Sequence, residues 1–191
     1  QNIMKHIKLL AVLFISAFTI TSCSDDEVPT PVNEEEVITT MTIVLTPSTG
    51  GNAITIQSKD LDGDGPNAPV ITGGTLAANT TYNADITLLN ETESPAEDIT
   101  KEVVEEADEH QFFYSASGGV NSTFTYAGTN DANGNPVGVK FTVATGAAGT
   151  GNYTVILRHE PNKTATGVKG GDITNAGGET DIEVVFPITI Q

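Results

Sequence analysis

The sequence predicts an all-β fold, a mainly antiparallel, Ig-like β-sandwich of about eight or nine short strands with one amphipathic helix inserted at about 95–109. Three observations predict it. Apolar residues recur with period two in run after run, Gly/Asn/Asp clusters separate the runs, and a single segment switches to helical spacing.

Taken in order, VITTMTIVLT places Val37, Met41, Ile43 and Leu45 on one face and Thr40 and Thr42 on the other. TYNADITLL aligns Tyr82, Ala84, Ile86 and Leu88, and STFTYA pairs Phe124 with Tyr126. VGVKFTV aligns Val137, Val139, Phe141 and Val143, and NYTVILRH aligns Tyr153, Val155, Leu157 and His159. DIEVVFPITI aligns Ile182, Val184, Phe186, Ile188 and Ile190; Pro187 cannot donate to a ladder, which predicts an edge position or a bulge. Shorter strands are expected at 53–58, 70–75 and 111–116. The exception is SPAEDITKEVVEEADEH. Ser94 suits an N-cap, Pro95 the first helical position and Glu97 a capping box, after which Ala96, Ile99, Val103, Ala107 and His110 recur at helical spacing.

Upstream lie two further regions. Residues 1–22 read as a signal peptide: Lys5, His6 and Lys8 precede the apolar run LLAVLFISAFTI, which is shorter than the ~20 residues a membrane span needs. The run ends in Ile20-Thr21-Ser22-Cys23, which resembles the lipobox of bacterial lipoproteins. That resemblance implies cleavage before Cys23, the only cysteine, and lipid on its sulfur and new amine. A multiply acylated residue anchors a protein to a membrane stably. Residues 23–36 contain two prolines, many acids and little apolar surface, and are expected to form a disordered tether, with the β domain spanning 37–191. Ser24-Asp25-Asp26-Glu27 resembles the acidic signal that exports lipoproteins of Bacteroidota to the outer face of the outer membrane; the alternative is a periplasm-facing protein.

Removing residues 1–22 takes away Lys5 and Lys8 and leaves six basic side chains against 25 acidic ones, a formal charge of −19. That charge repels phosphate backbones and excludes nucleic acid as a partner. No Gly-rich phosphate loop, nucleophile elbow or second cysteine is present, so no enzyme and no organic cofactor is expected.

Three constellations bear on ligands. In KDLDGDGPNAP, Asp60, Asp62 and Asp64 alternate before Gly65, as in the opening of a Ca²⁺ loop, but the twelfth position is Ile71 rather than an acid. The segment reads either as a looser Ca²⁺ loop or as a polar turn. In TNDANGNPVG, Asp131, Asn133 and Asn135 alternate around an Asn-Gly dipeptide that favours a tight hairpin turn. His110 and His159 each end an apolar-phased element beside acids, Glu106 one turn before His110 and Glu160 after His159. Together they offer donors suited to Zn²⁺ or Cu²⁺, provided the ring nitrogens come within about 4–5 Å. Otherwise each histidine caps the core edge, or His110 offsets the helix dipole.

The stretches KDLDGDGPNAP, LLNETESPAEDITKEVVEEADEHQFFY, DANGNPVG, LRHEPNK and GDITNAGGETDIEVVF resemble those of small acidic surface lipoproteins of flavobacteria and other Bacteroidota, often named "type 1 periplasmic binding fold superfamily protein". The name denotes a two-lobed α/β architecture, whereas the strand pattern here predicts β structure. The resemblance implies association with a TonB-dependent outer-membrane receptor. Two functions follow as expectations: a non-catalytic module that captures a metal or nutrient for such a transporter, or a structural or adhesive surface module with Ca²⁺-stiffened loops.

Overall fold

A computed structural model describes residues 36–191 apart from Asp64. The expected lipidation at Cys23, the export signal Ser24–Glu27 and residues 1–22 lie outside the described residues, as does Asp64. The described chain is a mainly antiparallel β-sandwich with one α-helix.

The first sheet has strand order β3-β2-β1-β5-β9-β8, with the two-residue β6 also on β5. Its strands are β1 (Thr40–Pro47), β2 (Ile54–Lys59), β3 (Val70–Thr72), β5 (Thr81–Asn90), β6 (Glu97–Asp98), β8 (Ser122–Ala127) and β9 (Lys140–Thr145). The second sheet runs β4-β11-β10-β7, from β4 (Gly74–Leu76), β7 (His110–Gly118), β10 (Gly149–His159) and β11 (Glu179–Ile190). All pairings are antiparallel except β4 with β11.

The period-two faces fill the core as the alternation requires. Met41, Ile43 and Leu45 face Tyr82, Ala84, Ile86 and Leu88 within one sheet, and Tyr153, Val155, Leu157, Phe186 and Ile188 close over them from the other. Each fully buried Leu, Ile, Val, Phe or Met among them contributes about 1.5–3 kcal/mol. Val37, expected on the same face, precedes β1 and is exposed, because the strand begins only at Thr40.

The expected strand over 70–75 is two strands in two different sheets. Gly73 is the crossing point: a Cβ there would lie 2.1 Å from the carbonyl oxygen of Pro187, so only glycine admits this approach. Pro187 lies immediately before the residues where β4 joins β11, on a stretch of β11 that is paired with β10 alone, as its missing donor demands.

The helix, α1 (Ile99–Glu105), is shorter than the expected 95–109, and Ser94 is not its N-cap. Glu97 and Asp98 instead pair with Asn90 and Leu89 of β5, so the chain enters as a short strand, and Asp98 takes the N-cap position. Ile99 and Val103 pack into the core, and a turn over 106–109 then delivers the chain to β7.

Candidate metal centre

His110 is the first residue of β7 and His159 the last of β10, and the two are direct register partners. Their ring centroids are 4.6 Å apart and both are essentially inaccessible to solvent. The juxtaposition follows from the alternation: each ends an inward-facing set, and the antiparallel ladder brings those ends together.

Two carboxylates complete the group, and neither is the Glu106 or Glu160 that proximity in sequence suggests. Glu36 Oε1 lies 2.9 Å from His110 Nε2, and Glu36 Oε2 lies 3.9 Å from His159 Nδ1. Asp181 Oδ2 lies 3.7 Å from His110 Nε2, and Asp181 Oδ1 lies 3.5 Å from His159 Nδ1. One donor atom from each of Glu36, His110, His159 and Asp181 falls within 4.8 Å of all the others.

Asp181 owes its place to a β-bulge. The β10–β11 register steps from Leu157↔Ile182 to Arg158↔Thr180, so Asp181 is the extra residue. The strict alternation of Ile182, Val184 and Phe186 would turn Asp181 outward. The bulge reverses that, and the carboxylate is fully buried. Glu36 belongs to the lead-in to β1, which is tied down where Thr39 N–H and Oγ1–H both donate to the carbonyl oxygen of Leu89. Although expected to end the tether, Glu36 turns its side chain into the domain, where it is 7% exposed.

Glu106 contributes its backbone instead of its carboxylate. Its carbonyl oxygen lies 3.3 Å from His110 Nδ1, whereas its exposed carboxylate lies 4.0 Å away. A ring that donates from Nδ1 to this carbonyl presents its Nε2 lone pair to Glu36 and Asp181. A lone pair facing two carboxylates is repulsive unless a proton or a metal cation lies between them. When the ring is protonated, the proton serves. Burial pushes the His110 imidazolium down, but the close contact and charge of Glu36, the Glu106 carbonyl and Asp181 outweigh burial and hold its pKa above the ordinary 6.5. Burial likewise pushes Glu36 up, and His110, its own backbone and His159 pull it below 4.5.

The hydrogen bonding is nonetheless incomplete. His110 Nε2, both nitrogens of His159 and Glu36 Oε2 are buried without a well-directed hydrogen bond among the described residues. The nitrogen–oxygen separations among these four side chains run from 2.9 to 3.9 Å. Metal bonds of about 2.0–2.1 Å at tetrahedral angles place donors roughly 3.3 Å apart. Two imidazoles and two carboxylates form a borderline donor set for Zn²⁺ or Cu²⁺.

Glu160 is not in that group but clusters with His159 and Glu109, whose Oε2 is 3.8 Å from His159 Nε2. The remaining candidates are elsewhere. Asp62 Oδ2 accepts from the side chain of Asn67 at 2.6 Å and from its backbone N–H at 3.3 Å, which closes the loop on itself. Among the described residues no group of three or more His, Cys, Asp and Glu side chains includes Asp60 or Asp62. The Asp131 loop is a turn. Asp131 Oδ1 accepts from the N–H groups of Asn133 and Asn135, and Oδ2 from the Asn135 amide. The buried ammonium of Lys163 stands 3.9 Å from Asp131 Oδ2 and donates to the carbonyls of Ala107 and Pro136. Burial lowers its pKa below 10.5 although Asp131 and Asp108 oppose this.

No protein-family model and no curated protein matches this chain. Among solved structures it is similar to the crystal structure of the S-layer protein SbsC domains 4 and 5, at 12% identity and a TM-score of 0.28, covering 73% of this chain and 65% of that one. The chain thus spans a little under two thirds of that structure. Among the described residues no helix is long and apolar enough to cross a membrane.

Proposed function

We propose that this chain is a non-catalytic metal-capturing module whose centre, formed by Glu36, His110, His159 and Asp181, holds one transition-metal ion, with Zn²⁺ the best fit and Cu²⁺ next. The observation that carries this reading is the buried gathering of one donor atom each from Glu36, His110, His159 and Asp181 within 4.8 Å of one another. Two buried carboxylates need positive charge, and a divalent ion supplies it with four ligands already converging. In this reading lipid on Cys23 anchors the protein to the outer membrane, the Ser24–Glu27 segment directs it to the cell surface, and the captured metal serves a TonB-dependent transporter. The −19 charge of the mature chain draws cations toward the centre.

Elemental analysis of protein purified without chelator tests it. Wild type should carry about one Zn or Cu per chain, and the His110→Ala/His159→Ala variant almost none. Metal-free wild type that also fails to take up added Zn²⁺ would refute the proposal.

A further inference from the structure

His159 presents each of its ring nitrogens to a different set of acids. Nδ1 faces Asp181 at 3.5 Å and Glu36 at 3.9 Å inside the domain. Nε2 faces Glu109 at 3.8 Å, and the donor atoms of Glu109, His159 and Glu160 all lie within 4.8 Å of one another. The acids on the two sides differ in exposure: Glu36 and Asp181 are buried, whereas Glu109 is half exposed and Glu160 exposed. The outer pair is fixed by its backbone, since Glu160 N–H donates to the Glu109 carbonyl at 2.6 Å. His159 Nε2 is buried and makes no hydrogen bond among the described residues, and it stands 3.8 Å from Glu109 Oε2.

Building on the metal reading above, we infer that Glu109, Glu160 and His159 Nε2 form a second, outer cation site through which the inner centre is loaded. A neutral imidazole has one lone pair and one proton. An ion in the inner centre takes the lone pair at Nδ1 and leaves the proton on Nε2, pointing at Glu109. An ion at the outer site takes the lone pair at Nε2 and leaves the proton on Nδ1, pointing at Asp181. Simultaneous occupancy requires loss of the last ring proton, so with a neutral ring the two sites are alternatives. The difference in exposure orders them. An ion held by Glu109 and Glu160 keeps part of its water shell, whereas one held by Glu36 and Asp181 has shed it. The outer site divides dehydration into two smaller steps, and tautomer exchange of His159 accompanies the transfer.

Stopped-flow mixing of the metal-free full chain with Zn²⁺, and of the loaded chain with a chelator, tests the assignment. In Glu109→Gln/Glu160→Gln, uptake and release should both slow at least tenfold while equilibrium affinity stays within about threefold of wild type. Glu93→Gln/Glu97→Gln removes the same charge from exposed positions outside both groups of donors and should change both rates little. Loading of the outer variant at the control's rate, or an affinity loss as large as its rate loss, would overturn the loading site and leave the inner centre standing. Absence of Zn²⁺ binding by wild type would overturn the inner centre itself.

Discussion

His110 and His159 stand opposite each other across the β7–β10 ladder, one opening its strand and the other closing its own, with ring centroids 4.6 Å apart. Two imidazoles this close are placed to ligate one ion, with the two carboxylates beside them as further ligands. His110→Ala or His159→Ala should each weaken Zn²⁺ binding at least about 100-fold, since even groups that only orient a ligand are worth 10–100-fold. Competition titration against a chromophoric chelator measures the change.

Asp181→Asn keeps the shape of the bulge residue and removes its charge. Zn²⁺ affinity should fall about 10–100-fold with little change in fold, the latter checked by circular dichroism. An unchanged affinity would remove Asp181 from the centre.

The metal-free and metal-bound proteins should respond to pH in opposite directions. His110 is raised above 6.5, so its contribution to stability is complete below 6.5 and is lost as pH rises through its folded value. Glu36 is lowered below 4.5, so its contribution is present above 4.5 and is lost as pH falls through its folded value. The metal-free pair therefore stabilises most between 4.5 and 6.5. Zn²⁺ competes with the imidazole proton, so its stabilisation should grow above that window. At 100 times Kd the gain is about 2.7 kcal/mol, or roughly 5–10 °C in Tm. Melting curves at pH 5, 6.5 and 8 with and without Zn²⁺ test the crossing trends.

Much of this arrangement is legible in the sequence, and the rest is hidden for identifiable reasons. Period two places His159 in phase with Tyr153, Val155 and Leu157, and the apolar phase of the preceding segment marks His110. Asp181 is invisible because alternation puts it outside, and a bulge is a property of the pairing of two strands, which neither strand's pattern contains. Glu36 reads as one more acid in an acidic tract, and only the folded position of Thr39 against Leu89 brings it inward. Glu106 and Glu160 stand near the histidines in sequence, yet one supplies a carbonyl and the other groups with Glu109 and His159 rather than with Glu36 and Asp181. The helix is overextended by sequence reading because Glu97 and Asp98 satisfy their backbone on β5.

Lys163 replaces a free cation beside Asp131. Lys163→Met removes the charge and the donor to the Ala107 and Pro136 carbonyls, with a cost of about 2–5 kcal/mol. Because Ala107 lies in the turn that delivers His110, the variant should also lose Zn²⁺ affinity. A thermal melt and a Zn²⁺ titration measure the two effects separately.

Asp62 is held by Asn67, so the loop at 60–64 is expected to behave as a turn. Millimolar Ca²⁺ should raise Tm equally in wild type and in Asp60→Asn/Asp62→Asn/Asp64→Asn, through screening of the acidic surface alone. A rise confined to wild type would instead assign the loop a Ca²⁺ ion.

Glu36 leads into the first sheet, whereas His110, His159 and Asp181 belong to the second. An ion held by all four is therefore a cross-link between the two layers, joining positions far apart in the chain. The sequence has a single cysteine, so this sandwich cannot be stapled internally by sulfur. Coordination would do that work instead, as a fastener that is reversible and tightened or loosened by the metal content of the surroundings.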